Sequence, residues 1–329
     1  MGFRALLTDR DADGKVTSSV QVLDDARLPE GNATVDIDWA GLNYKDGLCL
    51  TGGGGLVRSY PHVAGIDFAG TVRESADGRY RADDKVVLTG WRVGETHWGG
   101  YAERARVNAD WLVPLPQGLS LRDAMVVGTA GLTAMLAIDR LEAVGLTHAA
   151  GEVLVTGAAG GVGTIAISML AKLGYQVAAL SGRPQHASAL KALGAASVVD
   201  RNEFLAQPDK PLESARWAAV VDNVGGKVLG KALKQVKYGG AVASIGNAGG
   251  IDLSTNILPF ILRGISLVGI DSVMQPYAKR VAAWERVAET FDLDAYAGLA
   301  REVGLEDLPD AAEEILAGEV KGRVIVKVR

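Results

Sequence analysis

From residue 151 onward the chain alternates apolar, β-branched runs with helical stretches, and this alternation restricts the fold more than any other feature. VLVT (153–156), QVAAL (176–180), SVVD (197–200), AAVVDNV (218–224), AVASIG (241–246) and SLVGI (266–270) read as strands. Stretches such as IAISMLAKLG and VLGKALKQV separate them. Continuous apolar strands joined by helical crossovers predict a parallel sheet covered on both faces. Six of them complete a doubly wound nucleotide-binding sheet.

Gly157, Gly160 and Gly163 follow the first of these strands and precede its helix, with G-x-x-G-x-x-G spacing. Such glycines let backbone N–H groups approach a pyrophosphate, and the following helix points its positive end at that anion. A Gly-rich turn that binds nothing shares the local signature; the flanking strands favour binding. Sites for NAD place an acid about 20 residues on, for the ribose 2′-hydroxyl. Here no Asp or Glu occurs from Val153 through Val199, while Lys172, Arg183 and Lys191 are positive. A carboxylate would repel a 2′-phosphate, whereas a hydroxyl and a guanidinium offer donors and charge. Ser181 and Arg183, on either side of Gly182, therefore predict a 2′-phosphate site and NADPH as the cofactor. Arg201, just after the third strand, could add a second cation or be a solvated loop residue.

Residues 1 to about 115 read differently, as short strands and Gly-rich loops: VDIDWAG (35–41), DFAGTVRE (67–74), DKVVLTG (84–90) and the loop TGGGG (51–55). Residues 120–143 have apolar positions compatible with a helix, weakened by two glycines. After 270 come helical stretches near 276–291 and 309–318, then VIVKVR (324–329), a strand with no neighbour of its own that should rejoin the N-terminal domain.

The net charge of −5 argues against nucleic-acid or anionic-membrane partners, which call for a basic face. Cys49 is the one cysteine, so an intrachain disulfide and a Cys-based structural zinc site are both impossible, as suits a reducing cytoplasm. The N-terminus reaches charge within four residues and Leu6 replaces the Ser or Thr of a myristoylation signal, so neither secretion nor acylation is expected. No apolar run approaches the ~20 residues that span a bilayer.

With AAGGVG in place, the chain resembles the medium-chain dehydrogenase/reductase superfamily, in its zinc-free, quinone-oxidoreductase-like branch. NYKD (43–46), GIDFAGTV (65–72), WGGYAE (98–103), GTAGLTAML (128–136), PFILRGISLVGIDSV (259–273) and GRVIVKV (322–328) are together similar to the acrylyl-CoA reductase (NADPH) group. The resemblance implies an α/β fold: a doubly wound Rossmann domain (121–269) inserted in a β-rich, GroES-like catalytic domain (1–120 and 270–329). It implies reduction of acryloyl-CoA to propanoyl-CoA. The positions that supply Cys, His and Cys to zinc in other members correspond to Asn43, Ile66 and Thr129, poor zinc ligands all. The four histidines show no H-x-x-x-H spacing, so no metal is expected.

Without a Lewis acid, the natural reaction is hydride addition to the carbon β to a carbonyl, followed by protonation at the α carbon. Tyr44 is the candidate proton donor, with contact to NADPH as its competing and better-supported role. Lys45 and Asp46 follow it, and Asp46 reads as a local cap. Asp67 reads as a loop anchor. Expected cofactor contacts are Tyr44, Thr129, the turn Ala159, Gly160, Gly161, Val162 and Gly163, then Ser181, Gly182, Arg183 and Arg201. Asn223, Ile245, Gly246 and Asn247 follow the fourth and fifth strands, at the carboxyl ends where cofactors lie. Ser272 should approach the nicotinamide. Arg323 could reach cofactor or substrate, or be an ordinary surface arginine. Lys45, Arg58, Arg92 and Arg263 are possible contacts for an acyl-CoA substrate. A quinone or enone reductase is the alternative activity, and a nucleotide-binding regulator without turnover a third reading. ISLVGI (265–270) should leave an apolar sheet edge, from which a homodimer is expected.

Overall fold

The computed structural model describes residues 2–208 and 210–329 of the 329. Two compact units divide the chain. The first comprises Met1–Thr129, Val273–Ala288 and Gly298–Arg329, and the second Ala130–Ser272 and Glu289–Ala297. The division thus falls at Thr129, nine residues beyond the expected boundary at 120, and the segment Glu289–Ala297 belongs to the second unit.

The first unit begins with β1 (Gly2–Arg10), β2 (Val16–Asp24), β3 (Ala33–Leu42), α1 (Tyr44–Thr51) and β4 (His62–Val63). It continues with β5 (Asp67–Ser75), β6 (Lys85–Thr89), β7 (Arg104–Val107) and β8 (Leu112–Pro114). Helix α2 (Leu121–Ala143) follows, broken at Gly128, where φ is 52° and ψ −156°. Its carboxyl-terminal part, from Ala130, lies in the second unit. By length and composition α2 could cross a membrane, but 78% of its most apolar window is buried within the protein.

The second unit carries β9 (Val153–Thr156), α3 (Gly161–Lys172), β10 (Val177–Ser181), α4 (Ala187–Ala192), β11 (Ser197–Asp200) and α5 (Arg201–Ala206). It continues with β12 (Trp217–Asp222), α6 (Gly226–Leu233), β13 (Val236–Ser244), α7 (Leu258–Arg263) and β14 (Ser266–Gly269). The chain closes with α8 (Tyr277–Thr290), α9 (Leu293–Tyr296), β15 (Ala300–Val303), α10 (Leu308–Leu316) and β16 (Arg323–Lys327).

In the first unit a seven-stranded sheet runs β15-β16-β3-β5-β6-β8, with β7 also paired to β3, beside a three-stranded sheet β2-β1-β4. The closing strand does rejoin the N-terminal segment: β16 pairs antiparallel with β3, Ile325 opposite Gly41. Val35, Ile37, Phe68, Leu88 and Tyr101 fill the core beneath. Strands β3 and β5 approach so closely that a Cβ on Gly70 would lie 2.9 Å from Ile37 Cα and nearer still to Asp36 O. Gly70→Ala should therefore cost about 1–3 kcal/mol of stability through overpacking, measurable by urea titration. Cys49 is buried, and burial pushes its thiol pKa up, so it should stay unmodified by thiol reagents in the native protein.

In the second unit the six expected strands form one parallel sheet, ordered β11-β10-β9-β12-β13-β14. Leu154 of β9 stands between Ala178 of β10 and Val220 of β12, all fully buried. Both faces are covered, which is why the strands lack polar alternation. Ile165, Ala166, Met169 and Leu170 turn the inner face of α3 onto the sheet. The returning segment packs here too: Tyr296 is fully buried and its hydroxyl lies 2.7 Å from Thr164 Oγ1 on α3.

Candidate active site

At the carboxyl ends of β9, β10 and β12 a cleft of about 370 Å³ opens. The turn from β9 into α3 forms its floor. Gly157 takes φ 58°, a left-handed conformation. A Cβ on Gly163 would lie 2.8 Å from Ala158 Cα and closer to Gly157 O, so only glycine allows the turn to close. Gly160 caps α3 without any side-chain bond to the first amides, which stay available to an anion at the positive end of the helix. Thr164 Oγ1 donates to Gly160 O at 2.8 Å and pins the turn from below.

The adenosine end of such a cleft lies at β10. Ser181 is buried there and its Oγ accepts a bond from Arg183 N at 3.1 Å, so the hydroxyl proton is directed elsewhere. The guanidinium of Arg201 lies against Gly182, its Cζ 2.6 Å from where a Cβ would stand. Among the described residues neither Arg183 nor Arg201 has an ion pair or side-chain hydrogen bond. Asp200, the first acid after β9, is spent as the cap of α5, accepting from Asn202 N at 2.7 Å and Glu203 N at 2.9 Å. At the opposite wall Asn223 is fixed by its Nδ2 donating to Thr156 O at 2.7 Å and by its N donating to Thr156 Oγ1 at 3.0 Å. Its Oδ1 is buried with no hydrogen-bond partner. Thr156 Oγ1 donates to Asp222 Oδ1 at 2.6 Å, and burial holds the Asp222 carboxyl above the usual range. Donors for anions along one wall and a waiting acceptor on the other fit a phosphorylated dinucleotide.

Ala159, Gly160, Gly161, Val162, Gly163, Ser181, Gly182, Arg183, Arg201 and Asn223 all line this cleft. Ile245, Gly246, Asn247 and Ser272 do not line it. Ile245 N and Gly246 N instead donate to Asp222 O, and the next residues, Ala248 and Gly249, form the wall. The run NAGG is the signal that could have shifted the expectation by two residues.

The other expected residues belong to the first unit. Tyr44 opens α1, half-exposed, and its hydroxyl has no partner among the described residues. Beneath it lies a buried web of charge. Asn43 caps α1, with its N and Nδ2 donating to Asp46 Oδ2 at 2.9 and 3.1 Å, and Nδ2 also donating to Asp67 Oδ2 at 3.1 Å. Asp46 Oδ1 accepts from Ile66 N at 2.8 Å. Asp67 accepts from Gly41 N at 3.0 Å and Thr129 N at 2.7 Å. Arg323 is buried as well, so it is not an ordinary surface arginine. Its Nη1 donates to Asn43 Oδ1 at 2.9 Å, and Nη2 stands 4.0 Å from Asp67 Oδ2. Asp67 is the loop anchor read from the sequence, and Asp46 the local cap. Among the described residues no three His, Cys, Asp or Glu side chains cluster to hold a metal. At the three positions that correspond to zinc ligands stand the Asn43 amide, the aliphatic Ile66 and Thr129, with the Ile66 and Thr129 amides donating to Asp46 and Asp67, a set that does not fit a zinc ion. His62 is buried, with Nε2 2.9 Å from Gly94 O, and serves packing.

Burial, with Asp67 nearby, pushes the Asp46 carboxyl up to about 7. Between that value and the ordinary carboxylate pKa near 3.9, the folded protein holds a proton that the unfolded chain has lost. Stability from this group is therefore present at low pH and falls as pH rises through the window. Relative to Asp46→Asn, the wild type should lose up to about 1.4 kcal/mol per pH unit between pH 5 and 7, read from denaturant titrations of both proteins. A flat difference would refute it.

Residues 161–289 match the zinc-binding dehydrogenase family and residues 29–117 the alcohol dehydrogenase GroES-like domain. The chain belongs to the medium-chain dehydrogenase/reductase superfamily. The acrylyl-CoA reductase AcuI of Ruegeria pomeroyi is 56% identical over 327 residues, 99% of either chain. The yhdH oxidoreductase of Salmonella enterica, solved in complex with NADP, is 52% identical with a TM-score of 0.96, covering 99% of this chain and 100% of that one. Bacillus subtilis yhfP, solved with NAD bound, is 46% identical with a TM-score of 0.96 over 100% of both chains.

Proposed function

We propose that this protein is an NADPH-dependent reductase of short 2-enoyl-CoA esters, with acryloyl-CoA as substrate and propanoyl-CoA as product. The observation that carries the cofactor is the uncompensated pair of guanidiniums, Arg183 and Arg201, beside the Ser181 hydroxyl. The likeness to AcuI supports the substrate. When bound, NADPH supplies a hydride for the β carbon of the enoyl thioester. The amides opening α3 hold the pyrophosphate, and Ser181, Arg183 and Arg201 hold the 2′-phosphate. Asn223 Oδ1 accepts a hydrogen bond from a hydroxyl or amide of the dinucleotide. To Tyr44, whose hydroxyl has no partner among the described residues, we assign contact with the cofactor and donation of the proton to the α carbon.

NADPH oxidation with acryloyl-CoA, crotonoyl-CoA and a simple quinone, side by side, tests the reading. Turnover of the quinone alone would favour the alternative of a quinone reductase, which the likeness to quinone oxidoreductase-like protein 2 of Bos taurus supports (29% identical over 72% of this chain and 66% of the relative). The NAD-bound relative makes NADH the control cofactor.

A second copy of the chain is the partner we infer for the β14 edge, which ends the six-stranded sheet with nothing paired beyond it among the described residues. Ile257, Ile261 and Leu262, at and within the helix α7 that leads into β14, stand exposed at 61, 64 and 57%. Apolar surface next to a bare strand edge favours pairing with a copy of itself. Ile261→Asp should then shift the sedimentation mass from dimer toward monomer, and a wild type already monomeric would end this inference. The single cysteine and acidic charge favour the cytoplasm as the site of action.

A further inference from the structure

Helix α2 breaks at Gly128, and a break leaves backbone groups without helical partners on both sides. Arg323 takes the carbonyls: Nε donates to Val126 O at 3.2 Å and Nη2 to Met125 O at 3.4 Å. Asp67 takes the amide of Thr129 at 2.7 Å. A cation thus closes a helix end rich in carbonyls, and an anion opens one rich in amides, each the sign that the helix dipole favours. The same two side chains grip Asn43 from opposite ends of its amide, Arg323 at Oδ1 (2.9 Å) and Asp67 at Nδ2 (3.1 Å). Arg323 Nη1 also donates to Leu42 O at 3.3 Å. Two glycines leave the space: a Cβ on Gly41 would lie 2.8 Å from Arg323 Nη2, and one on Gly128 2.7 Å from it. The guanidinium is therefore committed to protein oxygens, and the residue it holds most directly is the one preceding Tyr44.

We propose that Arg323 is a positioning residue for Tyr44, locking the Asn43–Tyr44 turn to the broken helix α2 through Asn43. The proposal rests on the role given to Tyr44 above. A rigid turn sets the place of the Tyr44 hydroxyl, and displacement of a reacting group by about 1 Å can cost on the order of 100-fold in rate.

The test is Arg323→Lys in the wild-type and Tyr44→Phe backgrounds, with kcat and KM on whichever acceptor gives turnover, the NADPH Kd by nicotinamide fluorescence, and the thermal midpoint. Lysine keeps the charge but cannot fork between Asn43, Val126 and Met125. In the wild-type background kcat should fall on the order of tenfold or more, with any rise in the NADPH Kd no greater than that of Tyr44→Phe alone. In the Tyr44→Phe background the same change should leave kcat nearly unaltered, because the positioned hydroxyl is already gone. Equal losses in both backgrounds would mean that Arg323 supports only the fold, and would overturn the proposal. So would a Kd raised about tenfold with kcat intact, the result expected of a direct cofactor contact. If Tyr44→Phe alone turned over at the wild-type rate, the role of Tyr44 would fail first, and that outcome is distinct from the other two. Should Arg323→Lys not fold, Asn43→Ser enters the same cycle with the same expectations.

Discussion

Arg183→Ala is expected to weaken NADPH binding by about 1.5–3 kcal/mol and to leave NADH nearly unchanged. The two dinucleotides differ only in the 2′-phosphate, so the difference isolates one charge-assisted contact. The geometry makes the effect large for two reasons. Arg183 has no carboxylate to compensate it, so its field is not already spent. Ser181 is buried and keyed to the Arg183 backbone by the 3.1 Å bond from Arg183 N, which fixes the hydroxyl on the cleft that Arg183 also lines. Arg201, flat against Gly182, shares the load, and Arg183→Ala/Arg201→Ala together should lose more than either alone. Fluorescence titration with both cofactors reads the result. Equal weakening of NADH and NADPH would remove the 2′-phosphate from this corner.

Gly128→Ala should be among the most damaging single substitutions in the protein. The residue sits at φ 52° and ψ −156°, which L side chains rarely adopt, and strain of this kind costs about 1–3 kcal/mol. The methyl would also fall 2.8 Å from Asp67 Oδ2 and 2.7 Å from Arg323 Nη2. Neither can retreat, since both are buried and bonded on several sides, so overpacking adds a further loss of about 1–3 kcal/mol. A urea midpoint close to that of the wild type would show that the break in α2 is softer than its contacts imply. Gly145→Ala makes a useful control: its φ of 107° carries the backbone strain but open space surrounds it.

The nucleotide-binding half was legible because each local signal agreed with the next: apolar strands, glycine spacing and the missing acid all pointed one way, and ten expected residues meet on one cleft. Strands β1 and β2 were not assigned. A polar residue, Ser18, takes an inward place against the buried Thr8, and Val22 is largely exposed, so the period-2 pattern that would mark a hairpin is blurred. Ile245 to Asn247 were placed from strand ends alone, and the chain carries its wall two residues further on. Arg323 was open between a ligand contact and a surface residue in the sequence, because nothing in KGR distinguishes them; only the fold reveals that β16 beside β3 delivers its head to Asn43, 280 positions away in sequence. Long-range burial of a charge has no local signature. The division at Thr129 had no local signal either, since α2 is one helix by composition and the two units part within it.

The detour of Glu289–Ala297 has a practical side. A gene fragment spanning 130–272 would omit Tyr296, whose buried hydroxyl meets Thr164 in the first turn of α3. Excised that way, the dinucleotide module would expose Thr164 and the apolar bed around it, and should aggregate or melt early. Recombination between relatives therefore needs two further crossover points, at 288/289 and 297/298, and exchanges that respect them should keep cofactor affinity with whichever parent donates both pieces.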